Sequence, residues 1–251
     1  MMGYTHAVIG AGGALSLAAI SGDESPEFFM MASVAGIIGG VAVDIDVKDN
    51  FNNPKVTDAL RTRLFVIGNI GLWIILDLIM SMGITHYILS RRYLALIGVI
   101  MLAIVLLIGF VTKHRTFSHS LLFVLLSSVA IYFIIPYATM FYLVGAILHL
   151  FFDMFNNQVH HHGIWLLYPL KTGKGIALGV CKSGRLGNKI LYFLGLIFYI
   201  IVSVYYLLQI EDRAKMIAPI IMIAYVVVFL HFVRRKSEKE QRHIMHMNGE
   251  L

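Results

Sequence analysis

Six ionisable residues lie at the ends of apolar segments, where a polar side chain is costly unless it has a partner. They are four histidines and two aspartates: His6, Asp44, His114, His119, His149 and Asp153. Imidazole and carboxylate groups together are ligands for zinc and other borderline divalent metals. If the fold brings them together, these residue types predict a metal site.

The spacing along the chain indicates how two of the pairs are presented. His149 and Asp153 are four residues apart in GAILHLFFDMFNN, so they share one face of a helix about one turn apart. Asp44 and Asp46 alternate in VAVDIDVKDN after an apolar segment, so only one of them needs to face the site. A carboxylate that does not bind metal, Asp46 or Asp44, is then a candidate general base.

The remaining pair needs a bend. His114 and His119 are five residues apart in TKHRTFSHSLL, which is a poor match for two ligands on one continuous helix. A bend between them would let both point inward, and Thr116 or Ser118 could N-cap the helix that follows.

Each of these residues also has a simpler explanation. His6 alone fits an interfacial or hydrogen-bonded histidine, and His149 with Asp153 fits a structural pair inside the membrane. HRTFSH alone fits a basic loop with a helix cap, and Asp44 alone fits a solvated acid. What favours a metal site is that all six fall on one side of the membrane, as the charge pattern below indicates.

The elements that must position these residues are apolar helices. The chain has 251 residues, 59% of them hydrophobic and 14% charged, and its mean hydropathy is +0.80. Soluble domains are about 45–50% apolar and about 25% charged, so the composition argues against a soluble enzyme and predicts an integral membrane protein. We expect an all-α fold, a polytopic transmembrane bundle of about eight helices. The single cysteine, Cys181, excludes an internal disulfide and a Cys-rich zinc module.

Eight apolar segments define this bundle, at roughly 7–20, 28–43, 64–80, 93–111, 120–135, 138–155, 190–209 and 216–233. The fourth, seventh and eighth are long enough to cross alone, since a bilayer core needs about 20 residues. The first two are short and rich in Gly and Ala. They are therefore expected to be half-inserted or tightly packed, because small residues let helix backbones approach closely.

Charge orients the bundle. Of the 20 Lys and Arg, 16 lie in the second, fourth and sixth loops or at the C-terminus. By the positive-inside rule both termini face the cytoplasm, and the formal charge of +6 needs no nucleic-acid partner. All six candidate residues fall on that side, as do 10 of the 11 histidines. The run of His160, His161 and His162 fits a solvated loop better than a site.

These motifs together resemble a known family. HRTFSHS, then HLFFD about thirty residues on, then FNN and HHGIWLLYPL, with THAVIGA and DID before them, are similar to the YdjM-like membrane-bound metal-dependent hydrolases. The resemblance covers roughly residues 1–175. That family is associated with the zinc-dependent phospholipase C and P1 nuclease group, so the resemblance implies phosphoester hydrolysis at a metal site. It implies as metal-facing groups His6, Asp44, His114, His119, His149 and Asp153. Arg115, between two of them, is a candidate phosphate contact.

The function expected is that of an integral membrane metal-dependent hydrolase in a bacterial or archaeal cytoplasmic membrane. One or two divalent ions, most plausibly Zn²⁺, would supply a metal-bound hydroxide that attacks a phosphoester of a lipid or lipid-linked substrate. Catalytic groups would be Asp44, Asp46 and Arg115. Residues 1–175 would form the hydrolase core, 176–233 two further helices of the same domain, and 234–251 a polar cytoplasmic tail.

The alternative is a non-enzymatic membrane protein, either a metal- or proton-coupled transporter or a metal-stabilised scaffold. Transporters usually place their coupling residues near the bilayer midplane and often contain internal repeats. The candidate residues cluster at one face and the sequence shows no repeat, which favours the enzyme. Oligomeric state has no signature in the sequence.

Overall fold

The computed structural model describes residues 1–47, 54–155, 163–170, 175–179 and 186–247, so His160, His161 and His162 lie outside the described residues. The described chain is helical apart from its connections and one isolated bridge between Ile164 and Ile176. The α-helices are α1 (Gly3–Ser21), α2 (Pro26–Ala42), α3 (Pro54–Met80), α4 (Ile84–Ser90), α5 (Arg92–Val111), α6 (Leu121–Ile134), α7 (Thr139–Met154), α8 (Leu186–Gln209) and α9 (Ile217–Met247). Short 3-10 turns occupy Val43–Asp46 and Pro136–Ala138.

The all-helical polytopic fold is confirmed. Among the described residues, seven helices are long and apolar enough to cross a membrane, and they include both α1 and α2. The shorter α6 has 14 residues. Two features differ from the expected segments: α4 is an additional short helix, and α9 continues through the polar tail as far as Met247.

The first two helices form the centre of the bundle. α1 packs against α2, α7 and α8, and most residues of α1 and α2 are buried. Glycines make the contact close: a Cβ atom on Gly40 would lie 2.5 Å from the carbonyl oxygen of His6, and one on Gly10 would collide with the backbone of Gly36. The small residues of these segments therefore produce tightly packed helices, one of the two arrangements expected for them.

The outer helices face outward with apolar side chains. α5 packs on α6, α3 on α9, and α8 on α1. In α8 the polarity pattern is the reverse of that of a helix in a soluble protein. Every buried residue carries a polar group, while the exposed face is aliphatic and aromatic. The buried residues of α8 are Asn188, Tyr192, Tyr199, Ser203 and Tyr206.

Apart from the short α4, successive helices run in alternating directions, so alternate connections meet at the same end of the bundle. One end, which we call the site end, gathers the first turns of α1, α3, α6 and α8 with the last turns of α2, α5 and α7. Contacts such as Gly3 with Asp58 and Asp58 with Ser237 also bring α9 to this end. The six candidate residues all lie at the site end, where the alternation of helices predicts them.

Candidate metal centre

Four of the six candidate residues form one compact group. Asp44 from the 3-10 turn after α2, His119 from the loop before α6, and His149 and Asp153 from α7 each place one ligand atom within 4.8 Å of the others. We call these four residues the Asp44 group. His149 and Asp153 project from one face of α7, as their spacing predicts, and both are buried.

The His149 ring is oriented by the backbone of α2. Its Nδ1 donates a hydrogen bond to the carbonyl oxygen of Gly40 at 2.7 Å, which fixes the tautomer and leaves Nε2 without a hydrogen. That Nε2 is buried, has no hydrogen-bond partner, and lies 3.7 Å from Asp44 Oδ1. A backbone bond on one ring nitrogen and a free lone pair on the other is the usual arrangement of a metal-ligating histidine.

His119 has the same division between its two nitrogens. Its Nδ1 donates to Ser118 Oγ at 3.0 Å, while Nε2 is buried without a hydrogen-bond partner. Nε2 lies 3.4 Å from Asp153 Oδ2 and 3.6 Å from Asp44 Oδ1. The two carboxylates favour a positive charge at the point where both lone pairs converge.

These donors fit a divalent metal. Two buried imidazole nitrogens without hydrogen-bond partners face two buried or half-buried carboxylates, and unpaired buried polar atoms are costly unless something binds them. The donor set is the nitrogen and oxygen mixture that zinc takes in catalytic sites.

His6 reaches the site from the first turn of α1. Its ring stacks on that of His149 with centroids 3.7 Å apart, and its Nε2 lies 3.2 Å from Asp153 Oδ1. The amino group of Met1 donates to the same oxygen at 2.7 Å. His6 is thus in contact with two members of the Asp44 group.

A second group satisfies the same distance criterion but is bonded differently. It consists of Asp46, His114 and His119, and we call it the Asp46 group. Asp46 Oδ1 accepts from His114 Nδ1 at 2.8 Å, and Oδ2 accepts from the backbone N–H of Arg115 at 2.9 Å and from Ser118 Oγ at 2.5 Å. Both Asp46 oxygens are occupied by donors, so this carboxylate organises the loop from His114 to His119.

That loop bends as the histidine spacing requires. The N-cap of α6, however, is Ser120, whose hydroxyl accepts from the Phe123 N–H at 3.2 Å. The assignment of the cap to Thr116 or Ser118 was therefore wrong. Ser118 uses its hydroxyl on Asp46, and Thr116 donates to the Lys113 carbonyl.

Arg115 occupies the inside of the bend. Its backbone is left-handed, with φ of 68°, and its side chain is only 4% exposed. Nη2 lies 3.4 Å from Asp153 Oδ2, whereas Nε and Nη1 are buried without hydrogen-bond partners. The guanidinium therefore presents two unused donors next to the Asp44 group.

Three supporting residues had no signal in the sequence. Arg63 Nη2 donates to the carbonyls of Asp44, Ile45 and Val47 at 3.0, 3.0 and 3.1 Å, which fixes the 3-10 turn. In the sequence Arg63 is one of the positive charges counted in the second loop. Its role cannot be read from the sequence, because its partners are backbone carbonyls and these occur at every residue.

The first turn of α1 is capped by residues distant in sequence. Asn188 Oδ1 accepts from the Met2 N–H at 3.1 Å, and Asp58 Oδ2 accepts from the Gly3 N–H at 2.7 Å. The first N–H groups of an α-helix take their acceptors from outside that helix. The two bonds fix the turn that carries His6, and both caps lie in segments that contained no recognised motif.

A small cleft lies beside these groups at the site end. Its lining includes Asp44, Asp153 and Arg115 together with residues from the first turns of α3. The residues that line it are Met1, Met2, Gly3, Val41, Asp44, Val47, Asp58, Ala59, Thr62, Arg63, His114, Arg115 and Asp153.

Comparison with known proteins bears on this arrangement. No curated protein and no solved structure matches the chain. The model of a family described as "YdjM inner membrane protein" matches residues 1–236, which extends beyond the resemblance carried by the motifs and includes α8 and most of α9. With its apolar helices, the chain therefore belongs to the YdjM family of inner membrane proteins.

Proposed function

We propose that this protein is a metal-dependent hydrolase that cleaves a phosphoester of a lipid or lipid-linked substrate at the cytoplasmic face of the membrane. The observation that carries the proposal is the convergence of two buried, unpaired imidazole nitrogens, His119 Nε2 and His149 Nε2, on the carboxylates of Asp44 and Asp153.

The Asp44 group would hold one divalent cation, most plausibly Zn²⁺. When bound, such an ion activates water for attack and polarises a phosphoryl oxygen. His6 supports the group by stacking on His149 and contacting Asp153. Asp46 and His114 would act without binding the metal themselves. The hydrogen bonds of Asp46 orient the loop that carries His119.

Arg115 would bind the phosphate of the substrate. Its Nε and Nη1 have no partner within the protein, so either can donate to a non-bridging phosphate oxygen. Its position against Asp153 puts the bound phosphate beside the metal ligands. The strained backbone at Arg115 supports a functional role, since strain is retained where the surroundings impose it.

Asp44 is the better candidate for the base even though it belongs to the ligand group, because Oδ1 is the oxygen that faces both histidines and Oδ2 is left to accept a proton. Its side chain is 15% exposed, whereas those of Asp46 and Asp153 are 0% and 3% exposed. Water from the cleft can therefore reach Asp44, and Asp44 can accept its proton. Asp46 already accepts three hydrogen bonds and has less capacity for that role.

The position of the site at one end of the bundle favours an amphiphilic class of substrate. The site lies at the ends of apolar helices, where the headgroup layer of a bilayer meets water. An amphiphile whose phosphate sits in that layer can reach Arg115 without leaving the membrane, whereas a nucleic acid has no comparable route.

Metal analysis tests this proposal. The purified protein in detergent should carry stoichiometric divalent metal by mass spectrometry, and a panel of phosphate-containing lipids should identify one that is hydrolysed. The double variant His149→Ala, Asp153→Ala should lose both the metal and the activity. His86→Ala serves as the matched control, because His86 is an exposed histidine in α4 at the opposite end.

The possible outcomes separate the claims. Absence of stoichiometric metal, or full metal retention in the double variant, would remove the metal site. Metal binding without hydrolysis of any lipid would remove the hydrolase. Metal uptake into sealed liposomes by the wild-type protein would indicate a transporter instead.

A further inference from the structure

A short, non-helical segment lies over the loop that carries Arg115. It comprises residues 163–170 and 175–179, and we call it the cap. Three backbone hydrogen bonds attach it: Leu121 N–H to the Leu166 carbonyl at 2.9 Å, Leu178 N–H to the Met154 carbonyl at 2.6 Å, and Trp165 N–H to the Arg115 carbonyl at 3.3 Å. The cap is thus joined to the first residue of α6, the last residue of α7 and the strained residue between the histidines.

The base of the cap is well fixed. Ile164 and Ile176 exchange two backbone hydrogen bonds, of 3.1 and 3.0 Å, and the Ile164 side chain is fully buried. Gly163 has φ of 71°, and a Cβ atom there would lie 2.6 Å from the Ile176 carbonyl oxygen. Only glycine fits this crossing without strain. The cap is therefore an ordered element and holds its outer side chains in defined positions.

The outer surface of the cap is apolar. Leu170 is 93% exposed, Leu178 58% and Leu167 53%, and Ile176 is also exposed. Neither stretch, GIWLLYPL or GIALG, contains a charged residue, while Lys171 and Lys174 occur in the sequence between them. Transfer of such side chains out of water is favourable, so an uncharged patch of this size indicates a contact surface.

We propose that the cap inserts Leu167, Leu170 and Leu178 into the acyl-chain layer of the leaflet at the site end and guides a lipid headgroup to Arg115. The argument is continuity: the cap is bonded to the ends of α6 and α7, whose neighbouring residues Leu121 and Phe151 are exposed on the apolar outer surface of the bundle. The cap extends that surface around the end of the bundle. Aromatic Trp165 and Tyr168 at its base suit the headgroup level.

The proposal has two separable parts. Insertion concerns the cap alone and needs neither metal nor activity. Guidance of a headgroup rests on the proposed function, because it supposes that Arg115 binds the phosphate of a lipid.

Insertion is tested with single-tryptophan variants in nanodiscs. The chain has two tryptophans, so Trp73→Phe with Trp165→Phe gives a silent background. In that background Leu170→Trp is compared with Val99→Trp on the exposed face of α5 and Lys239→Trp on the exposed face of the tail. Lipids brominated on the acyl chain should quench Leu170→Trp at least twofold, as they quench Val99→Trp, and aqueous iodide should quench only Lys239→Trp. Behaviour of Leu170→Trp like that of Lys239→Trp would overturn insertion.

Guidance is tested with Leu167→Ser, Leu170→Ser, using the hydrolysable lipid found in the panel. Hydrolysis of that lipid in vesicles should fall about tenfold, mostly through KM, while a water-soluble short-chain analogue should be hydrolysed as by the wild type. Equal rates on vesicles would overturn guidance, and an equal loss on both substrates would assign the cap a purely structural role. If no lipid is hydrolysed at all, the proposed function and the guidance fail together, and the quenching result still decides insertion.

Discussion

The Asp44 and Asp46 groups lie side by side, share His119, and both bring acidic and imidazole atoms within metal-binding distance of one another. Their hydrogen bonds separate them. In the Asp46 group the imidazole Nδ1 atoms act as donors, and both carboxylate oxygens are already occupied. In the Asp44 group the imidazole Nε2 atoms are buried lone pairs without partners. Distance alone therefore does not separate the two groups, whereas their hydrogen-bond donors and free lone pairs do.

The largest effect is expected at the shared residue. His119→Ala removes one ligand from the Asp44 group and one partner from the Asp46 group, so metal affinity should fall by more than the roughly 10–100-fold typical of an outer-layer change. His114→Ala is the matched control, since His114 belongs to the Asp46 group alone. Titration calorimetry with Zn²⁺ measures both. Equal losses in the two variants would mean that the Asp46 group also binds metal.

Arg115 connects the two groups, with its backbone N–H on Asp46 and its guanidinium against Asp153. Arg115→Lys keeps the charge but removes the Nε and Nη1 donors, and loss of one positioned donor typically costs about 10²–10³-fold in kcat. Metal content should remain that of the wild type, as measured by mass spectrometry. Loss of the metal together with activity would make Arg115 a structural residue.

Asp46→Asn addresses the difference between the groups directly. An amide can still accept hydrogen bonds at one oxygen but cannot satisfy all three donors, so the loop should loosen without losing a metal ligand. Affinity should fall about 10–100-fold with unchanged stoichiometry. Asp44→Asn should lower the stoichiometry itself. The opposite result, metal loss in the first variant and retention in the second, would exchange the roles of the two groups.

The smallest effect is expected in the outer support. Asn188→Ala removes the hydrogen bond that Asn188 accepts from the Met2 N–H and the one that it donates to the Tyr4 hydroxyl, and losing buried hydrogen bonds costs about 1–3 kcal/mol. Thermal unfolding in detergent should shift downward, and metal affinity should fall only severalfold through the displaced His6. Ser203→Ala, elsewhere on the buried face of α8, should change metal affinity not at all.

Much of this arrangement follows from the sequence. The apolar segments predicted the helices, and alternation of helix direction placed six ionisable residues at one end. The i, i+4 spacing predicted that His149 and Asp153 share a face, and the five-residue spacing of His114 and His119 predicted a bend. These predictions depend only on the residue spacing along a helix and on the number of helices between two residues, and both can be counted in the sequence.

Other parts depend on backbone atoms and on contacts between distant residues. One of the donors to Asp46 is the backbone N–H of Arg115, a residue in the left-handed conformation. Arg63 binds three carbonyls, and Asn188 caps a helix more than 180 residues away. No spacing rule connects such partners, because carbonyl and amide groups are identical at every position of the chain.

The reversed polarity pattern of α8 ties the site to the order in which the chain is made. Every proposed metal ligand is synthesised by residue 153, yet Asn188, which fixes the turn carrying His6, belongs to α8. A nascent chain that has been synthesised as far as α7 thus contains all the proposed ligands but lacks the contacts that α8 makes with α1. In a bilayer the hydrophobic effect does not drive apolar helices together, because lipid tails are as apolar as the helices. The association of α8 with the bundle therefore depends on its polar face. High-affinity metal loading would then mark the late stage of membrane assembly at which α8 has docked against α1.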